Sequence, residues 1–208
     1  MTYGPIETPT VDLPAITYTR DVALPVHATA VIVVDMQNDF VHPDGALRVE
    51  AATQTLAPIQ RLLDRAREAG VRVVYTQDTH FAGDPEWNIW PPHCRHGAWG
   101  WQIVDELAPR PDDLVVTKSR YDAFYDTSLD HYLSRVWKVQ HLVIVGTVTS
   151  ICVLHTAASA GLRWYHVVVP ADGVSALTTF DQAAALRQIS WLYTGSVTPG
   201  VDDITFTE

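Results

Sequence analysis

Five short runs of β-branched and aliphatic residues punctuate the chain: Ala30 to Val34, Val71 to Thr76, Leu114 to Thr117, Leu142 to Val145 and His166 to Val169. They are nearly continuously apolar instead of alternating, as strands buried on both faces of a parallel sheet should be. Between them the apolar spacing becomes helical. Leu56, Ile59, Leu63, Ala66 and Ala69 form one stripe that stops at Gly70, and Leu129, Tyr132, Leu133 and Val136 form another. Further helices are predicted over Ser150 to Ala160 and Asp181 to Trp191. Strands and helices in alternation predict an α/β fold in which helices cover both faces of an open, mostly parallel sheet with right-handed crossovers. Such sheets hold ligands at the carboxyl ends of their strands.

Two stretches break the pattern. Residues 1–28 carry Pro5, Pro9, Pro14 and Pro25 with no helical or strand period, and read as an extended amino-terminal arm before a domain over residues 29–208. Phe81 to Trp101 contains Trp87, Trp90, Trp99 and Trp101 and reads as a structured loop that walls a pocket. With 208 residues, 47% of them hydrophobic, one compact domain is expected. The net charge of −10 repels a phosphate backbone, which argues against a nucleic-acid partner. No apolar run is long enough to span a bilayer, and Met1 to Pro14 lacks a leader pattern, so a cytoplasmic protein without a membrane partner is expected. The two cysteines, Cys94 and Cys152, read as free thiols.

The residues that follow the strands carry the chemistry. Asp35 follows the first run, Asp78 and His80 the second, Lys118 the third, and Gly146 to Cys152 the fourth. A carboxylate, an ammonium and a thiol at one sheet edge have the composition of a catalytic site. Cys152 falls in the first turn of a predicted helix, where free N–H groups and the helix dipole lower a thiol's pKa and can bind an oxyanion. By itself it reads equally as a packed apolar residue. Lys118 would favour a thiolate, and Asp35 would exchange its proton, whereas Asp39 suits a cap.

Val33-Val34-Asp35-Met36-Gln37-Asn38-Asp39-Phe40, Lys118 and Gly146-Thr147-Val148-Thr149-Ser150-Ile151-Cys152-Val153 resemble the isochorismatase-like cysteine hydrolase superfamily. The resemblance runs from about residue 28 to about residue 200 and includes Arg120 to Asp130. It implies a three-layer αβα domain around an open, mostly parallel six-stranded sheet of Rossmann-like topology, a triad of Asp35, Lys118 and Cys152, and a thioester mechanism without a nucleotide cofactor. It also implies a cis bond between Thr147 and Val148 that directs backbone N–H groups at the oxyanion, although the family usually has Val-Ala there.

Within that superfamily, Asp78-Thr79-His80 and Trp90-Pro91-Pro92-His93-Cys94 resemble the metal-binding loops of nicotinamidases, with Thr79 in place of the usual tryptophan. Asp78, His80 and His93 are thereby implied as ligands of a divalent metal, zinc first with iron or manganese as alternatives. Cys94 becomes the neighbour of a ligand, not a second nucleophile. Phe40, Trp90 and Tyr125 are candidates for an aromatic slot that takes a flat ring. The expected activity is hydrolysis of the C–N bond of a small linear amide, nicotinamide to nicotinate first. A carbamoyl or ureido substrate such as N-carbamoylsarcosine or ureidoacrylate is the alternative, since Arg120 to Asp130 and the proline-bearing arm look similar to those relatives. Another isochorismatase-like reaction or an inactive scaffold of the same fold fits the residues less well. Relatives of this kind imply a homo-oligomer, a dimer or a tetramer.

Overall fold

The computed structural model describes residues 15–193 and 195–208. Its main sheet runs β4 (Leu114–Lys118), β3 (Arg72–Asp78), β2 (Thr29–Val34), β5 (His141–Thr147), β6 (His166–Pro170) and β8 (Ser196–Thr198), all neighbours parallel, and the two-residue β7 (Val174–Ser175) pairs with the end of β5. The six-stranded path matches the expectation, although β8 carries too few residues to have been seen as an apolar run.

Every residue of β2 is buried. Val31 and Val33 face the core under α2 (Ala52–Ala69), while Ala30, Ile32 and Val34 face the core under α3 (Leu154–Leu162) and α4 (Thr179–Leu192). One strand therefore feeds two cores, which is why its sequence is apolar throughout. The stripe of α2 is Ala52, Thr55, Ile59, Leu62, Leu63 and Ala66. Ala69 of the expected stripe is exposed. Gly70 ends the helix in a left-handed conformation at φ 84°, as the sequence suggests. His131–Val136 forms a single wide helical turn in which Leu133 is buried, whereas Val136 faces solvent.

Residues 1–14 of the expected arm lie outside the described residues. Of the remainder, Val22–Pro25 forms β1 and pairs in parallel with β9 (Ile204–Thr207), tying the arm to the carboxyl-terminal end of the chain.

The sheet register sets the site. Val34 pairs with Thr76 on one side and Gly146 on the other, and Asp78 pairs with Lys118. Gly146 sits at φ +115°, and a Cβ there would lie 2.1 Å from the Val34 carbonyl oxygen. Only glycine lets β5 approach β2 at the point where both strands deliver functional residues. Gly70 has a positive φ but open space around it. Gly146→Ala is therefore expected to cost at least about 2 kcal/mol, from backbone strain plus overlap, and Gly70→Ala about 1 kcal/mol from strain alone. Urea unfolding of both variants checks this ordering.

Candidate active site

The strand ends bring the expected triad together. Lys118 Nζ lies 2.7 Å from Asp35 Oδ2, 3.1 Å from Asp78 Oδ1 and 3.6 Å from Cys152 Sγ. All four residues are buried. Thr76 on the neighbouring strand donates its hydroxyl to Asp35 Oδ1 at 2.6 Å and so fixes that carboxylate. Asp35 Oδ2 meets the ammonium at short range but outside good hydrogen-bond angles.

Burial works against the ammonium of Lys118, yet Asp35 and Asp78 hold it charged, with its pKa well above the ordinary range. Burial raises the pKa of Asp35, Lys118 opposes this, and Asp78 adds to it. Burial also pushes the Cys152 thiol well up, Lys118 opposes, and the carboxylates of Asp35 and Asp78 reinforce the rise. The expectation of a lowered thiol pKa is thus corrected: exclusion of water and two nearby carboxylates outweigh the ammonium and the helix end. Burial therefore favours the neutral thiol of Cys152, with the carboxyl group of Asp35 as its neighbour.

Cys152 stands in the wide turn Thr149–Val153 that runs straight into α3. The peptide between Thr147 and Val148 is cis. Thr147 exchanges hydrogen bonds with Ser175 of β7, and Thr149 donates to Gln182 of α4 at 2.6 Å. The turn that carries the sulfur is thereby held from two further elements.

Beside the triad, Asp78, His80, Glu86 and His93 each place one ligand atom within 4.8 Å of the others, all four residues being buried. Asp78 is the residue shared between this cluster and Lys118. His93 donates Nδ1–H to the Pro91 carbonyl at 2.8 Å, which leaves Nε2 for the cluster. His80 faces a carboxylate at each ring nitrogen, Asp84 at Nδ1 and Asp78 at Nε2, both at 3.0 Å. Burial disfavours its charge, but the hydrogen bonds and the attraction of these carboxylates raise its pKa to about 9. Burial raises the pKa of Glu86, helped by Asp78. Two imidazoles and two carboxylates, with the outer nitrogens of both rings already engaged, fit a divalent transition metal.

Glu86 escaped the sequence reading, which named Asp78, His80 and His93. It lies in a short 3₁₀ turn, Pro85–Asn88, capped by Asp84, and its only signal is the Asp-Pro start of that turn. Thr79, where nicotinamidases carry tryptophan, accepts a hydrogen bond at 2.8 Å from the indole of Trp101, so a tryptophan reaches this place from later in the chain. Asp39 accepts the backbone N–H groups of Ala46 and Cys94 and caps two loops, as expected. Cys94 is fully buried, and burial followed by the repulsion of Asp78 raises its pKa, which makes it a poor nucleophile.

A narrow cavity of ≈ 30 Å³ reaches both the sulfur and the ligand cluster; its walls include Phe40, Val49, Trp90, Tyr121, Val148 and Leu177. The Trp90 indole donates to the Tyr121 hydroxyl at 3.0 Å, and the ring of Phe40 lies 5.7 Å from that of His93. Phe40 and Trp90, two of the three aromatic residues expected at a slot, line this cavity. Tyr125 does not: it is 61% exposed and lies off the cavity. Asp122 caps the backbone of Phe124, Phe124 enters the core, and Tyr125 turns outward, so Tyr121 is the tyrosine of the wall.

The Isochorismatase domain family matches residues 29–199. The ureidoacrylate amidohydrolase RutB of Serratia proteamaculans is 32% identical over 192 residues, covering 79% of this chain and 77% of that protein. Among solved structures, N-carbamoylsarcosine amidase of Thermoplasma acidophilum is 35% identical with a TM-score of 0.75, over 82% of this chain and 95% of that one. Nicotinamidase PncA of Bacillus subtilis is 29% identical with a TM-score of 0.78, over 82% and 99%. A pyrazinamidase of Pyrococcus horikoshii, solved in complex with zinc, is 26% identical with a TM-score of 0.77, over 82% and 98%. With its parallel sheet, its buried thiol and these relatives, the chain belongs to the isochorismatase family and is a C–N-cleaving amidohydrolase of that family.

Proposed function

We propose that this enzyme hydrolyses a small planar amide of the nicotinamide type, with Cys152 as nucleophile and a divalent metal as substrate anchor. The observation that carries this reading is that the thiol and three members of the ligand cluster, Asp78, Glu86 and His93, line the same aromatic-walled cavity. Its ≈ 30 Å³ is far below the roughly 300 Å³ of ordinary ligand pockets, which favours a flat, compact substrate and requires the wall to yield on entry.

In this mechanism Sγ of Cys152 bonds to the amide carbon while its proton passes to Asp35. The backbone N–H groups of Val148 and Cys152 are the donors assigned to the resulting oxyanion. Collapse breaks the C–N bond, and Asp35 returns the proton to the departing ammonia. Water then attacks the thioester, gives a proton to Asp35, and the carboxylic acid leaves as Asp35 reprotonates the sulfur. Lys118 holds Asp35 in place throughout. Asp78, His80, Glu86 and His93 would hold the metal, which supplies an electrophilic site for a ring nitrogen of the substrate.

A ureido substrate is the second reading, supported by the ureidoacrylate amidohydrolases among the relatives. Ureido acids bring a carboxylate, however, and no arginine or lysine lines the cavity among the described residues. An assay of ammonia release with nicotinamide, pyrazinamide, N-carbamoylsarcosine and ureidoacrylate separates the two readings, together with product identity. Turnover of the pyridine and pyrazine amides is expected, and exclusive turnover of the ureido acids would overturn the first reading.

Cys152→Ala is expected to lose at least about 10³-fold in kcat with the fold intact by circular dichroism. Stripping metal with a chelator should lower the rate, and zinc or manganese should restore it; an unchanged rate in metal-free protein removes the anchor. Lys118→Met leaves two buried carboxylates without their cation and should cost about 3–5 kcal/mol of stability in urea unfolding at neutral pH.

A further inference from the structure

Two basic side chains leave one short stretch of chain in opposite directions. Lys118, the last residue of β4, points inward to Asp35 and Asp78. Arg120, two residues on and with its side chain 40% exposed, lies outside the ligand cluster. Its Nη1 is 3.2 Å from Oδ1 and 3.3 Å from Oδ2 of Asp84, and 3.6 Å from Oε2 of Glu86. Asp84 in turn reaches Nδ1 of His80 through Oδ2 and accepts the backbone N–H of Glu86 at 2.9 Å through Oδ1.

We propose that Arg120 and Asp84 form an outer clamp that positions His80 and Glu86 for the cation. This inference rests on the metal reading above. Asp84 accepts Nδ1–H of His80, which fixes the tautomer that turns the Nε2 lone pair to the cluster. Arg120 engages Oε2 of Glu86 and leaves Oε1, 4.0 Å from His80 Nε2, as the ligand atom. It also screens Asp84 from Glu86, two carboxylates that would otherwise repel one another in a partly buried loop. A surface ion pair without this role would be worth almost nothing.

The test is metal affinity in the full chain. Wild type, Arg120→Gln, Arg120→Lys, Asp84→Asn and the Arg120→Gln/Asp84→Asn double variant are stripped of metal and titrated with Zn²⁺ and with Mn²⁺ against a chromophoric chelator. Arg120→Gln and Asp84→Asn are each expected to weaken binding by about 10–100-fold. Arg120→Lys should recover part of the loss, because an ammonium restores the charge but not the two-oxygen grip. The double variant should bind within about twofold of the weaker single variant, since the two residues act through one contact. At saturating metal, kcat of Arg120→Gln should return to within about twofold of wild type, which general damage to the fold would not allow. If Asp84→Asn does not fold, the exposed Arg120 variants decide the matter. Wild-type affinity for both metals in Arg120→Gln overturns the clamp, as does a loss that lysine leaves unrelieved. A wild-type protein that binds neither metal overturns the metal reading and the clamp with it.

Discussion

One buried ammonium joins the two halves of the site. Lys118 Nζ lies between Asp35, a neighbour of the Cys152 thiol, and Asp78, a member of the cluster with His80, Glu86 and His93. None of these charges could be left alone in so dry a place, because an unpaired buried ion costs several kcal/mol. The fold must therefore deliver all three together. It does so by register: Asp78 and Lys118 are directly paired residues at the ends of β3 and β4, and Asp35 follows β2 immediately. Gly146 completes the arrangement by letting β5 close on β2, so that the turn bearing Cys152 begins beside the same carboxylate.

That arrangement changes the picture of the nucleophile. A cysteine at a helix start next to a lysine suggests a standing thiolate, but the lysine is already committed to two carboxylates, and burial favours the neutral thiol. In the proposed mechanism the reactive anion arises only as the proton moves to Asp35. The family is established by fold and sequence together, and C–N hydrolysis with it. Substrate choice is a separate matter, because relatives with similar folds are named for different substrates.

The parts of this site that could be placed from the chain's pattern alone share one property, that each is tied to the end of an apolar run, whereas His93 was reached only through the resemblance of its loop. Asp35, Asp78, Lys118 and Cys152 could be placed because the doubly covered strands before them announce themselves. Loops offer no such ruler. Glu86, Asp84 and Arg120 meet through the tertiary path of the segment after β3, and no periodicity links residues 84 and 120. Tyr121 and Tyr125 flank a capped turn whose direction decides which of them meets the cavity, and only the burial of Phe124 shows it. Strands β1, β8 and β9 were equally hidden, since three or four residues carry too little pattern and their partners lie far away in the chain.

Covalent chemistry at the sulfur of Cys152 is the central step of the proposed reaction, and the most direct measurement is to catch it. Wild-type protein mixed with nicotinamide, pyrazinamide or ureidoacrylate is quenched in acid within the first turnover, digested and weighed by mass spectrometry. An acyl group on the peptide containing Cys152 is the predicted result. Ammonia released in the burst while that peptide stays unmodified, with the acyl group absent or on another residue, would contradict it.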